Sequence, residues 1–321
     1  MNKIFNFLKR HKKSITNILT LVIILLMGIY LYRNREVFMH LKDLEVQYLI
    51  YIFIIQTIAI GVIALTNKQV IRILKRDIPY KEAFLLQYSN SLLNKIVSEG
   101  GALFRGYFLK EVYKLPYTKY ISTIAGLYVI GFLSNSLIGL ISLIYIYLTY
   151  GKINYLVLIF FLGILLFTIL LLVINPKLKN KKENRVIRWI TSILEGWGEI
   201  KKDKKKFLLF ILLSVSGLLM TSFQVILVYR GLGYNVGFFE SLYMSSLGMI
   251  TTFVNITPDS IGVREGIYMF SSDIIGLNSD IILLGSLIIR AVALINTFLI
   301  GGISYLKLTP RLKGKNLEKR V

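Results

Sequence analysis

Residues 153–174 read INYLVLIFFLGILLFTILLLVI and carry no charged side chain. A helix needs about 20 consecutive apolar residues to cross the hydrocarbon core of a bilayer, and this stretch has that length. An amphipathic helix of a soluble protein would show a polar stripe at helical spacing, and no such pattern is present. The stretch therefore predicts a transmembrane helix and places the chain among integral membrane proteins.

Apolar stretches of similar length recur along the chain. The whole sequence is 55% hydrophobic with a mean hydropathy of +0.64, values that a soluble domain rarely reaches. The further stretches are Ser14–Tyr32, Val46–Leu65, Tyr120–Tyr150, Phe207–Tyr229 and Ile281–Leu306. Together the stretches predict an all-α integral membrane protein with about six transmembrane helices.

Two other stretches, Ala83–Phe108 and Phe238–Leu277, are apolar but interrupted by glycine, proline and charged residues. Most of the 39 Lys and Arg residues lie in five clusters, and such residues are enriched on the cytoplasmic side. All five clusters face the cytoplasm only if each broken stretch enters and leaves the bilayer on one side. We therefore predict two re-entrant helical hairpins and cytoplasmic N- and C-termini. The clusters lie within residues 3–13, 68–81, 105–119, 175–206 and 307–320.

Charge and rare residue types exclude several kinds of site. A net charge of +22 would suggest nucleic acid in a soluble protein, but here it indicates contact with anionic lipid headgroups and no nucleic-acid partner. The chain has no cysteine, and His11 and His40 lie outside the long apolar runs. We therefore expect neither a metal site nor a cofactor. No nucleotide-binding loop is present, so ATP is not expected to drive the protein directly.

The predicted elements fall into two similar sets. Residues 46–150, named repeat A, contain a span, a hairpin entering from inside and a second span. Residues 207–306, named repeat B, contain a span, a hairpin entering from outside and a second span. Repeat B is repeat A turned upside down, and inverted repeats with broken helices near the midplane are typical of transporters. The connector 175–206 contains a candidate amphipathic helix, which either lies at the interface or packs on the cytoplasmic ends of the bundle.

The turns of the two hairpins share a local pattern. Residues 98–105 read SEGGALFR and residues 257–264 read TPDSIGVR, so each turn contains glycine or proline and is followed by arginine at the same offset. Broken helices at membrane depth are tolerated only inside protein or around a wet cavity. Half-helices that start near these turns would direct N–H groups into such a cavity, which favours an anion.

Charged residues concentrate at these turns and in the last span, where each charge costs about 2.5–3.5 kcal/mol on insertion scales. Because guanidinium groups bind phosphate with two parallel hydrogen bonds, we predict that Arg105, Arg264 and Arg290 face a substrate phosphate. The other predicted site residues are Lys95, the counter-charges or gates Glu99, Asp259 and Glu265, and the turn residues Gly100, Gly101, Pro258 and Gly262. Alternatively, Arg264–Glu265 and Arg290–Asp259 are structural ion pairs that hold the hairpins.

The two turns resemble those of a known family. The residues that show the resemblance are EGG at 99–101, followed by Arg105, and PDSIGVRE at 258–265. They are similar to the transmembrane "flippase-like" domain of lysylphosphatidylglycerol synthases, which also occurs as a stand-alone membrane protein in bacteria and archaea. Asp259 and Ser260 stand where that family usually has glycines, and the first turn lacks its proline.

The resemblance covers roughly residues 10–308 and implies a function. In full-length relatives, a soluble acyltransferase-like domain after the membrane region transfers an aminoacyl group from tRNA to phosphatidylglycerol. This chain ends at residue 321, soon after its last span, so the resemblance implies lipid translocation instead of aminoacyl transfer. The expected protein is a flippase of a prokaryotic plasma membrane that moves an anionic or aminoacylated phospholipid, or a polyprenyl-phosphate lipid.

Two alternative functions stay open at this point. The chain could be a membrane-embedded transferase of the phosphatidylglycerol lysyltransferase type, which would need an acid–base pair at one membrane face. It could also be a non-transporting membrane partner of a cell-envelope lipid synthase. The expected partners are a membrane phospholipid substrate and anionic headgroups, while homo-oligomerisation and an envelope-synthesis partner are both left open.

Overall fold

The computed structural model is helical in every regular element of its described part, which contains no β-strand. It describes residues 35–42, 44–97, 100–115, 117–173, 203–253 and 260–318, together with residues 25, 29, 32, 33, 198, 200, 201 and 257. A 3₁₀ helix, Arg35–Lys42, precedes the α-helices. These are α1 Val46–Ile73, α2 Tyr80–Ile96, α3 Gly100–Tyr113, α4 Tyr117–Tyr150, α5 Tyr155–Val173, α6 Lys204–Gly231, α7 Phe238–Leu247, α8 Ile250–Phe253, α9 Val263–Phe270, α10 Ser272–Ile275 and α11 Ser279–Glu318.

Four helices are long and apolar enough to cross a membrane, and they confirm four of the predicted spans. They are Val46–Ile73, Tyr120–Tyr150, Lys204–Gly231 and Ser279–Leu312. The uncharged stretch 153–174 forms α5, a shorter apolar helix that packs against α4. The predicted span 14–32 and most of the connector 175–206 lie outside the described residues, so the total of six spans stays a prediction.

The two broken stretches differ in structure. In the first, α2 and α3 pack against each other on either side of residues 97–99, as expected for a helical hairpin. The second is divided into α7, α8, α9 and α10, where one hairpin was predicted. Glycines account for two of its breaks, because Gly262 before α9 and Gly276 after α10 both have a positive φ that other residues rarely adopt. Whether either stretch is re-entrant in the bilayer stays a prediction.

Two hydrophobic clusters form the core. One surrounds the turn between α1 and α2, and the other surrounds the turn between α6 and α7. Buried members of the first include Val70, Ile71, Ile78, Leu115 and Leu308. Buried members of the second include Val228, Leu232, Val236, Ile274 and Ile281. Apolar packing thus closes both ends of the helix bundle.

These two turns have the same backbone geometry. Before α2, the N–H of Arg76 donates to the carbonyl of Ile71 at 3.2 Å, and before α7 the N–H of Tyr234 donates to Tyr229 at 2.8 Å. The residue preceding each donor has a positive φ, 57° at Lys75 and 82° at Gly233. This six-residue closure with a left-handed residue is the Schellman ending of a helix. The helices α1 and α6 therefore end in the same way.

The contacts between helices fall into two matching sets. Helix α1 packs against α6, α2 packs against α11, and α4 packs against α7. Helix α1 also packs against α2, as α6 does against α7. Exchanging α1, α2 and α4 for α6, α7 and α11 leaves this set of contacts unchanged, which is the pattern expected of two structurally equivalent halves.

Candidate functional site

A cavity of about 230 Å³ lies between α1, α2, α6, α9 and α11. Its lining residues are Gln56, Lys95, Thr221, Gln224, Val225, Arg264, Tyr268, Ser286, Ile289, Arg290 and Ala293. The two broken stretches and the last span each contribute one cation, namely Lys95, Arg264 and Arg290. The structure therefore brings together three of the predicted site residues that are far apart in the sequence.

Glu265 is the buried acidic partner of this site. Its side chain is 1% exposed, and its Oε1 lies 2.8 Å from Nη2 of Arg290 and accepts a 3.0 Å hydrogen bond from Nε. Ser286 Oγ donates to the same oxygen at 3.3 Å, and the N–H of Gly262 donates to Oε2 at 2.8 Å. A buried carboxylate needs such partners because losing hydration without them is costly. Glu265 thereby ties α9 to α11.

The start of α9 is set by Gly262. This residue has φ 77° and precedes the first helical turn, and Glu265 reaches back to its N–H as in a capping box. Thr257 Oγ1 donates to the carbonyl of Ile261 at 2.8 Å, which closes the same turn. The predicted turn residue Gly262 thus orients the helix that carries Arg264 and Glu265.

Arg264 lies beside this pair but is held less tightly. Its Nε is 3.8 Å from Oε1 of Glu265, and its side chain is 30% exposed. The Nε atom is buried and has no hydrogen-bond partner among the residues that the structure describes. Of the two predicted alternative ion pairs, Arg264–Glu265 is present as this loose contact. The buried carboxylate seen beside Arg290 is Glu265, while Asp259 lies outside the described residues.

Two glutamines join α1 and α6 at the cavity wall. Gln224 Nε2 in α6 donates to Gln56 Oε1 in α1 at 2.9 Å, and both residues line the cavity. Gln56 was not among the predicted site residues. Its sequence signal is an amide within a mostly apolar span, which by itself is equally typical of a residue that only joins helices.

Gly100 and Gly101 shape the first turn without lining the cavity. A Cβ atom at Gly101 would overlap the carbonyl oxygen of Asn90, so only glycine allows α3 to approach α2 this closely. The N–H of Gly101 donates to Oδ1 of Asn94 at 2.9 Å. A Cβ at Gly100 would lie 3.1 Å from the carbonyl oxygen of Leu93, which is also tight.

The structure places Arg105 in a different polar cluster. Its Nη1 donates to Oε1 of Gln87 at 3.1 Å, and its guanidinium lies 5.6 Å from the ring centroid of Tyr120. Asn67 joins the same cluster by donating to Gln87 at 2.9 Å and accepting from Tyr120 at 3.3 Å. Arg105 does not line the cavity that contains Lys95, Arg264 and Arg290, although all four were predicted to belong to one site.

The other predicted site residues, Glu99, Pro258 and Asp259, lie outside the described residues. Within the described ranges no group of three or more His, Asp or Glu side chains could hold a metal ion.

The sequence matches the family model described as "Lysylphosphatidylglycerol synthase TM region" over residues 17–301. The chain belongs to this family. No curated protein and no solved structure matches it. The membership confirms the resemblance inferred from the turns, and together with the long apolar helices it confirms the all-α membrane fold. As a lysylphosphatidylglycerol synthase TM-region protein, the chain is a membrane protein tied to lipid synthesis or flipping.

Proposed function

We propose that this family member is a lipid flippase of a prokaryotic plasma membrane. Its substrate would be an anionic or aminoacylated phospholipid, or a polyprenyl-phosphate lipid, all of which contain a phosphate group. The observation that carries the proposal is the meeting of Lys95, Arg264 and Arg290 in one cavity. Guanidinium groups provide the forked donors that a phosphate oxygen pair accepts.

The charge arrangement around the cavity favours an anionic ligand. Arg264 and Arg290 both approach Glu265, so one buried carboxylate is shared between two guanidinium groups. Glu265 is 1% exposed and does not line the cavity, whereas both arginines do. The lining therefore presents positive groups, and charged residues inside an apolar bundle commonly mark the path of a substrate or ion.

The two matching sets of helix contacts support a transport mechanism. Helices α1, α2 and α4 of repeat A make contacts that match those of α6, α7 and α11 of repeat B, and helices of both repeats line the cavity. In transporters with inverted repeats the substrate binds at the interface between the repeats, and rocking of one repeat exposes the site to each face in turn. We infer the same alternation here, with both termini and the connector 175–206 on the cytoplasmic side.

The transferase alternative has less support. An enzyme acting on a headgroup needs an acid–base pair that reaches the substrate. The buried Glu265 has both oxygens engaged, by Arg290, Ser286 and Gly262, and is held away from the cavity lining. Its contacts suit a residue that positions Arg290 better than one that moves protons.

Translocation in nucleotide-free proteoliposomes tests the proposal. Arg264→Gln should lower the rate of fluorescent phosphatidylglycerol translocation at least tenfold, while its thermal unfolding stays close to that of the wild type because Arg264 is partly exposed. Arg230→Gln is the matched control, since Arg230 is an exposed arginine in the last turn of α6 and lies outside the cavity. Wild-type rates in Arg264→Gln, or equal losses in both variants, would contradict the proposal.

A further inference from the structure

Helix α9 separates two cavities, one with a polar lining and one with an apolar lining. Arg264 and Tyr268 line the polar cavity described above. Four other residues of the same helix line an apolar cavity of about 400 Å³ that also borders α5. They are Val263, Gly266, Ile267 and Phe270. Successive positions of an α-helix are rotated by about 100°, so the two sets of residues lie about 130° apart around α9.

The apolar cavity is a groove on the outer surface of the bundle. Its α5 wall is formed by Leu156, Val157 and Phe160, and Leu156 is 68% exposed. Phe270 on the α9 wall is 57% exposed. In an integral membrane protein, such exposed apolar side chains contact lipid chains instead of water. The groove therefore offers a hydrocarbon environment open to the bilayer.

Gly262 connects the two environments. It lines the groove, while its N–H bonds to Glu265, the partner of Arg290 in the polar cavity. Helix α9 has eight residues and is therefore about 12 Å long, and Gly262, which immediately precedes it, carries no side chain. The hydrocarbon core of a bilayer is about 30 Å thick, so the chain of a lipid in one leaflet, which covers about half of that thickness, is longer than α9, and one lipid molecule is long enough to contact both sides of the helix.

We infer that the groove between α5 and α9 binds a hydrocarbon chain of the same lipid whose phosphate enters the polar cavity. This inference rests on the proposed function and extends it, because the substrate is then recognised at both ends. The phosphate contacts Arg264 and Arg290, and the chain lies against Gly266, Ile267 and the wall of α5. Water-soluble phosphates lack the second contact and bind weakly.

Gly266 gives a direct test of the groove. A Cβ atom built on Gly266 has no neighbour within 4 Å, so leucine is accommodated there and fills the groove. Gly302 in α11 has equally open surroundings and lines neither cavity, so Gly302→Leu is the matched control. The probe is phosphatidylglycerol with a diazirine at mid-chain, present as a minor component in phosphatidylcholine vesicles that contain the reconstituted protein.

Photolysis of the wild type should cross-link the probe to residues 156–160 or 263–270. Gly266→Leu should reduce this cross-link at least tenfold, and Gly302→Leu should not. Arg264→Gln should reduce it as well, because the chain is held in place through the phosphate. Cross-linking that is unchanged in Gly266→Leu, or that is independent of Arg264, would show only surrounding bilayer lipid and would overturn the inference. Cross-linking that depends on both residues in a protein without translocation would refute the flippase proposal and leave the lipid site standing.

Discussion

Glu265 is the residue through which α9, α11 and the preceding turn are joined. It is 1% exposed and lies 2.8 Å from Arg290. Removing one member of a buried pair leaves an unpaired charge and costs about 3–5 kcal/mol. We therefore expect Arg290→Gln and Glu265→Gln each to lower the thermal unfolding temperature in detergent. The double variant should regain most of the loss, since neither charge is then left without the other.

The same double variant separates scaffolding from substrate binding. If Arg290 contacts the phosphate, stability should return in the double variant while translocation stays absent. Return of both would show that Arg290 only supports the fold and would contradict its assigned role. Arg230→Gln again serves as the control for loss of a positive charge elsewhere.

At this scale the sequence predicted the site in part. Lys95, Arg264 and Arg290 stood out because charges inside apolar stretches are rare, and they do line one cavity. Arg105 was grouped with them because its offset from the turn equals that of Arg264. Its position in space is set instead by Gln87 on α2 and Tyr120 on α4, which no local pattern reveals.

At the scale of elements, two buried glutamates occupy equivalent places. Glu82 and Glu240 lie in the first turns of α2 and α7 and are 7% and 5% exposed. Glu82 pairs with Arg311 in α11, and the carboxylate of Glu240 interacts with Tyr150 at the end of α4. Each glutamate thus fastens the first broken-stretch helix of one half to the last span of the other.

Neutralising either glutamate should therefore loosen equivalent contacts. We expect Glu82→Gln and Glu240→Gln each to lower stability by about 1 kcal/mol, because Arg311 is half exposed and such pairs are weak. Thermal unfolding in detergent measures both, and Glu45→Gln, at an exposed position before α1, is the control. A loss in only one of the two variants would argue against the equivalence of the halves.

The segments that end α1 and α6 also resemble each other in sequence. Residues 72–82 read RILKRDIPYKE and residues 230–240 read RGLGYNVGFFE, with Arg, Leu and Glu at the same positions. The similarity includes the two Schellman turns. The division of the second broken stretch into several short helices was less predictable, because the start of α9 and the end of α10 depend on the backbone conformation of Gly262 and Gly276 within the packed bundle.

At the scale of the whole molecule, the absence of cysteine makes the predicted orientation testable. Single cysteines at positions 5, 190 and 315 should resist an impermeant thiol reagent in intact cells, because the basic clusters predict that these segments face the cytoplasm. A cysteine at position 152, an exposed residue in the turn between α4 and α5, should react and serves as the control. Labelling at any of the first three positions would contradict the orientation.

The overall class was predictable because it depends on the lengths of apolar stretches, which are local properties. The cavity was not, since it is formed by contacts between α1, α2, α6, α9 and α11 that only the packed bundle brings about. Gln56, Thr221 and Ser286 illustrate this point, because each is one of several polar residues in an apolar helix and gains its position in the site from its neighbours in space.

The presence of a lipid phosphate in the cavity is the central claim, and a cryo-EM map of the protein in phosphatidylglycerol nanodiscs tests it most directly. We expect phosphate density within hydrogen-bonding distance, about 2.7–3.2 Å, of the guanidinium groups of Arg264 and Arg290. Chain density should continue from it past Gly262 into the groove between α5 and α9. A map with lipid density only on the outer faces of the bundle, and none between these arginines, would contradict the account.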